Sequence, residues 1–240
     1  MKRSICLLCL LMIGVLTASA QFNDTTHYRV TVSASGSINK ADETTAYLLN
    51  NSLNFGIKKK YMWLNATNNW IYGRQNNNLT NNDLSSSLFF NLYKTLPHFY
   101  YWGLVNYNTS YSLKINNQLL AGAGVAYSIV DKPNAYINLS DGALFDQSNL
   151  LANRIYHTWR NSFRLQFHFA VKDVFTIDGS NFLQSSFSDI NDQIFRSTTT
   201  AGVKLRKWIS LTTTLTYNKM NITSSDNLIF TYGLTLDKYF

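Results

Sequence analysis

From Tyr28 onward, apolar and polar residues alternate in successive runs, with the period of two that belongs to strands and not to helices. The last run, Asn227 to Phe240, sets Leu228, Phe230, Tyr232, Leu234 and Leu236 against Ile229, Thr231, Gly233, Thr235 and Asp237. Arg160 to Val171 sets Phe163, Leu165, Phe167, Phe169 and Val171 against Ser162, Arg164, Gln166 and His168. In Asp83 to Tyr93, Leu84, Leu88, Phe90 and Leu92 oppose Asp83, Ser85, Ser87 and Asn91. The same reading predicts strands over Arg29 to Ser37, Thr45 to Gly56, Tyr61 to Gly73, Phe99 to Asn108 and Leu119 to Val130. Further strands follow over Ala135 to Leu144, Val174 to Leu183, Ser197 to Leu205 and Trp208 to Lys219. That makes about twelve, an even number, each close to the ~9–11 residues that a tilted strand needs to cross a bilayer.

The connections alternate in length. Lys58 to Lys60, Lys94 to His98, Asp131 to Asn134, Lys172-Asp173 and Arg206-Lys207 are short, and each carries a cation. Arg74 to Asn82, Thr109 to Gln118, Phe145 to Trp159, Gln184 to Arg196 and Met220 to Asp226 are longer and richer in Asn and Ser. A soluble sandwich has no reason to alternate strictly, whereas outer-membrane barrels have short periplasmic turns and longer outer loops. The fold class read from the chain is therefore all-β: one antiparallel transmembrane β-barrel of about twelve strands. Its terminal residue, Phe240, would close the ring onto the first strand and end on the periplasmic side. Closure also removes the aggregation hazard of a long apolar edge. A periplasmic lipocalin-like barrel is the minor alternative, and it would bury the aromatic rows inside.

The first residues read differently. Lys2 and Arg3 precede an apolar run from Ile5 to Leu16, and Ala18-Ser19-Ala20 supplies a small-residue cleavage site. The run is shorter than the ~20 residues of a spanning helix, so residues 1–20 are expected to be an export signal cut after Ala20. The barrel domain then occupies 21–240. Cys6 and Cys9 sit within the apolar run, so the mature chain holds no cysteine and no disulfide. Removing Lys2 and Arg3 takes Lys+Arg from 21 to 19 against 13 acids, or +6. Those cations are scattered in turns, which suits anionic lipid headgroups better than a nucleic acid. Tyr100, Tyr101 and Trp102, beside a short turn, read as part of an interfacial aromatic girdle.

With the apolar rows facing lipid, the opposite faces form a lumen of Ser, Thr, Asn and Gln with a few charges: Arg164, His168, Asp178, Lys204 and Asp237. Arg164, Asp178, Lys204 and Asp237 lie on strands eight, nine, ten and twelve, near enough in ring order to touch. They either form a salt-bridge network that plugs a narrow barrel or line a selectivity path. No P-loop, metal-ligand spacing or EF-hand loop occurs, so no cofactor and no metal are expected, and no catalytic residue is assigned. A lipid-modifying hydrolase at the rim is the enzymatic alternative. It would require His157 or His168 within reach of a serine and a carboxylate.

Gly122-Ala123-Gly124-Val125-Ala126-Tyr127, followed by Ala135 to Gly142 and the Arg-bearing aromatic strand Phe163 to Phe169, resembles the salt-induced outer-membrane proteins, a β-barrel family of unknown function. The resemblance spans roughly Ser52 onward and implies an outer-membrane barrel of a Gram-negative bacterium, with no catalytic residue to carry over. Expected partners are outer-membrane lipids and lipopolysaccharide, and the barrel-insertion machinery acting through the C-terminal strand. The expected role is a narrow passive channel or a structural barrel that maintains the envelope.

Overall fold

The computed structural model describes residues 27–240, apart from 42–43, 97, 133, 152–153 and 173. The predicted export signal, its cut after Ala20 and both cysteines lie outside those residues. Twelve strands run in chain order: β1 (Tyr28–Ala41), β2 (Thr44–Lys59), β3 (Met62–Gln75), β4 (Asn78–Leu96), β5 (Phe99–Ser110) and β6 (Ile115–Lys132), then β7 (Ala135–Leu150), β8 (Arg154–Val171), β9 (Phe175–Ser186), β10 (Gln193–Arg206), β11 (Ile209–Met220) and β12 (Ser225–Tyr239). Each strand pairs antiparallel with its chain neighbours, and β1 pairs with β12 to close the barrel. Phe240 completes the seam, where its carbonyl accepts from the backbone N–H groups of His27 and Tyr28 and its own N–H donates to the Tyr28 carbonyl.

All twelve predicted strands are present, and several run further than their apolar alternation. On the rim away from the termini, much of the Asn/Ser-rich sequence is paired strand. The chain turns at Asn76 and Asn77, both at positive φ (49° and 63°), a two-residue hairpin geometry that asparagine tolerates. The β9–β10 connection at the same rim spans 187–192, against 60–61 or 207–208 on the terminal side.

The faces follow the pleat. On β12, Leu228, Phe230, Tyr232, Leu234 and Leu236 are exposed, while Thr231 is fully buried and Ile229 nearly so. Outward aromatics gather at two levels. Tyr28 stacks on Phe55 and Phe99 meets Tyr127 at a tilt toward the terminal rim; Trp70 meets Tyr72, and Phe145 meets Trp159, toward the loop rim. Two such girdles bracket an apolar band in membrane barrels. The expectation for β5 needs correction. Tyr101 is exposed, but Tyr100 and Trp102 point inward and are 3% and 5% exposed.

Beyond the upper girdle the pattern inverts. Leu113, Ile115, Leu150, Ile194 and Met220 form a buried apolar cluster inside the loop rim, with Tyr156 and Ile222 packed against it. Outward positions there turn polar: Gln147 and Asn149 flank the inward Ser148 and Leu150. This part of the barrel is ordered like a small soluble cap, with apolar inside and polar outside, as water on both sides demands.

Candidate functional site

The lumen is filled unevenly. Along β5 to β7, the inward side chains of Tyr100, Trp102, Leu104, Ala126 and Leu144 form a compact apolar cluster against the wall. The opposite half, β1 to β4 with β10 to β12, carries short hydroxyl and amide side chains. A cavity of ≈ 620 Å³ lies against it, walled by residues such as Ser33, Asn54, Thr67, Ser87, Thr200 and Thr214. Arg164, Arg196 and Asp83 are the charged residues on its wall.

Arg164 owes its position to glycine. Gly124 pairs with both Trp102 and Gly142, and neither glycine leaves room for a Cβ. An added carbon on Gly124 would lie 2.1 Å from the Asp141 carbonyl and 2.8 Å from Trp102 Cε2; one on Gly142 would lie 2.6 Å from Trp102 Cζ2. The indole thus lies directly on bare backbone, as aromatic side chains do over strand glycines, and its Nε1–H donates to the Val125 carbonyl at 3.2 Å. The Arg164 guanidinium then sits against three rings, with Cζ 5.0 Å from the Phe89 centroid, 5.5 Å from Trp102 and 5.7 Å from Phe182. Its Nε–H donates to Ser140 Oγ at 3.1 Å. A guanidinium held among three rings keeps its charge at a fixed point of the lumen wall.

The other predicted lumen residues lie below the cavity, nearer the termini. His168 is one inward position past Gln166, Asp178 one past Ser180, Asp237 one past Thr235, and Lys204 two past Thr200. They do not form the single network suggested by ring order. Asp237 pairs across the closing seam with Arg29, at 3.0 Å from Nη2, and also accepts from Thr31 Oγ1. His168 Nδ1 is 2.7 Å from Asp178 Oδ1, and its ring stacks on Tyr136. Arg29 was not singled out from sequence because the facing of the first strand is ambiguous there; its pairing with Asp237 settles that Arg29 points inward. Among the described residues, no serine hydroxyl is a hydrogen-bond partner of His168, and His157 is exposed on the outer face against Phe145.

A second charged group lies above, toward the loop rim. Arg160 is fully buried, with Nε 2.6 Å from Asp146 Oδ2 and Nη2 2.8 Å from Asp192 Oδ2, and Nη2 also donates to Tyr156 Oη at 2.8 Å. Gln118 donates to both oxygens of Asp146 and accepts from Arg196 Nη2 at 3.0 Å. Two arginines and two aspartates therefore balance. Arg160 and Asp146 share the parity of the inward residues Arg164 and Leu144, so continuing the alternation past the apolar run would have pointed to them.

No protein-family profile matches the chain, and no curated protein matches it in sequence. Solved structures do resemble it. The NanC porin superposes with a TM-score of 0.54 at 9% identity, over 88% of this chain and 99% of that one. An outer-membrane channel of Pseudomonas putida F1 gives 0.53 at 10%, over 94% and 100%. The KdgM porin, solved in complex with disordered oligogalacturonate, gives 0.50 at 8%, over 88% and 99%. At these identities the likeness is one of fold: this chain folds as an outer-membrane β-barrel.

Proposed function

We propose that this protein is a narrow passive channel in the outer membrane of a Gram-negative bacterium. The observation that carries the reading is the ≈ 620 Å³ cavity, walled by hydroxyl and amide groups inside a closed barrel whose outer face is apolar. Such a wall supplies hydrogen bonds to water and small polar solutes at every depth, whereas a purely structural barrel gains nothing from keeping that space. The charged ring beneath it, Arg29–Asp237 and His168–Asp178 with Lys204, is where ions would be sorted. The resemblance to porins in fold supports the same reading. The likeness to the salt-induced outer-membrane proteins, to which the Gly122-x-Gly124 strand points, supports the outer-membrane placement alone.

Export with cleavage after Ala20 belongs to this reading. Contact of the apolar band with outer-membrane lipids and lipopolysaccharide, and delivery of the strand ending in Phe240 to the barrel-insertion machinery, belong to it as well. The role in this reading is non-enzymatic, which the likeness in fold to porins and channels supports.

Conductance of the refolded protein in a planar bilayer tests the proposal. Steady conductance is expected. Lys204→Ala is expected to shift permeability toward cations, and Asp237→Asn, which leaves Arg29 uncompensated, toward anions. A folded barrel that passes no current overturns the channel reading and leaves the structural barrel.

A further inference from the structure

The seam between β1 and β12 is incomplete. Its ladder runs from Arg29↔Tyr239 to Gly36↔Tyr232 and stops. Among the described residues, the backbone of 37–41 of β1 pairs only with β2 and that of 225–231 of β12 only with β11, while the Ser35 hydroxyl still reaches Thr231 Oγ1 across the seam at 3.3 Å. The sequence explains the stopping point. Gly36 and Gly233 bring two side-chain-free positions to the top of the ladder, and glycine in a strand weakens pairing. Ala34 and Ser35 next to them add little cross-strand packing.

The ladder stops inside the apolar band, not above it. On β12 the outward row Leu228 to Leu236 is bounded by Asp226 and Lys238; on β1 the outward row ends at Ile38, before Lys40. Continuing the register would set Ile38 opposite Phe230, so at least one outward level of the band has no pairing across the seam. Seven steps of ladder at ~3.3 Å, tilted ~45°, rise about 16 Å against a band ~25 Å tall. Exposure follows: Leu234 and Leu236, beside the ladder, are 46% and 41% exposed, whereas Leu228 reaches 68% and Ile38 reaches 77%. Free strand edges are not tolerated facing hydrocarbon, because their N–H and C=O groups have no partner there; they persist only where they border water or a ligand. Behind this seam lies the cavity, which Ser35 and Asn227 reach from its two sides. Leu113 and Ile115 of the apolar cluster inside the loop rim also border this cavity.

We propose that the upper part of the β1–β12 seam is a lateral portal, through which a single-chain amphiphile passes between the outer leaflet and the lumen. The acyl chain would lie against Ile38, Leu228 and Phe230. The polar head would enter among the Ser, Thr and Asn groups of the cavity. Arg164, held among three rings on the cavity wall, offers a phosphate-bearing head a cation. The inference rests on the membrane placement proposed above but not on ion conduction.

The test uses Ser37→Cys/Thr231→Cys, the pair one step beyond the last ladder rung, in the otherwise cysteine-free mature chain. A benzoylphenylalanine photoprobe replaces the lumen residue Thr216, which pairs with Ile229 behind the seam. The protein is reconstituted in vesicles with radiolabelled lysophosphatidylglycerol and irradiated, reduced and oxidised; a bismaleimide bridge replaces the disulfide where the thiols stand too far apart. Expected is strong labelling of the reduced protein, a several-fold loss when the seam is locked, and recovery on reduction of the disulfide. Labelling that locking does not change, or no labelling in either state, overturns the portal. Planar-bilayer conductance of the same variant separates the two proposals, since a silent barrel that still labels overturns only the channel.

Discussion

Arg160→Met is expected to lower the unfolding free energy by about 3–5 kcal/mol, the range for removing one partner of a buried ion pair. The side chain is fully buried and so is that of Asp146, while Asp192 is 6% exposed. Methionine fills much of the volume but leaves two carboxylates facing each other without the guanidinium between them. It also removes the Nη1 bond to the Asp192 carbonyl, at 3.1 Å, which pins the β9–β10 connection inside the rim. Arg196 cannot fully compensate, since it reaches Asp146 through Gln118. Urea unfolding of the refolded barrel, followed by tryptophan fluorescence, should show a lower midpoint with an unchanged slope. Asp192→Asn keeps the backbone bond and a neutral acceptor, so its loss should be smaller, about 1–3 kcal/mol. A loss for Arg160→Met below about 1 kcal/mol would be that of a solvated surface pair and would contradict the burial.

The same residues mark where the sequence stops being legible. Strand count, pairing order and the inward facing of Arg164, His168, Asp178 and Asp237 follow from alternation, because lipid outside and water inside force opposite chemistry onto successive residues. That contrast ends where the barrel leaves the bilayer. At β7 the outward residues become Gln147 and Asn149 while Leu150 turns inward, so the apolar period fades although the hydrogen-bonded ladder continues. Asp146, Asp192 and Arg196 lie in such stretches and read as loop, while Arg160 reads only as the first residue of the strand that follows one. The pairing of the charges was hidden for another reason. Ring order put Lys204 and Asp237 within two strands of each other, but depth along the barrel depends on stagger and tilt. Those place Asp237 beside Arg29, more than two hundred residues away in the chain. The glycine motif was visible; its use as a seat for Trp102 was not, since Trp102 looked outward-facing beside Tyr101.

Gly124→Val is expected to be the most damaging substitution in the lumen wall that leaves every charge in place. The new Cβ would meet the Asp141 carbonyl at 2.1 Å and Gly142 Cα at 2.6 Å, both backbone atoms, and Trp102 Cε2 at 2.8 Å. Relief requires either that β7 move away, which stretches the β6–β7 ladder at Gly124↔Gly142, or that the indole lift off its seat. The second course costs the Trp102–Val125 hydrogen bond and one of the three rings around Arg164, driving that guanidinium toward the cavity. Overpacking of this kind costs about 1–3 kcal/mol. If the indole yields, tryptophan emission shifts to the red and conductance falls. A double-mutant cycle with Trp102→Ala separates the two courses. If the ring is the main obstacle, Gly124→Val costs much less in the Trp102→Ala background, because the seat is already empty. If the backbone contact with Asp141 dominates, the cost is the same in both backgrounds. The shorter contact, to an atom with no side-chain freedom, favours the second result.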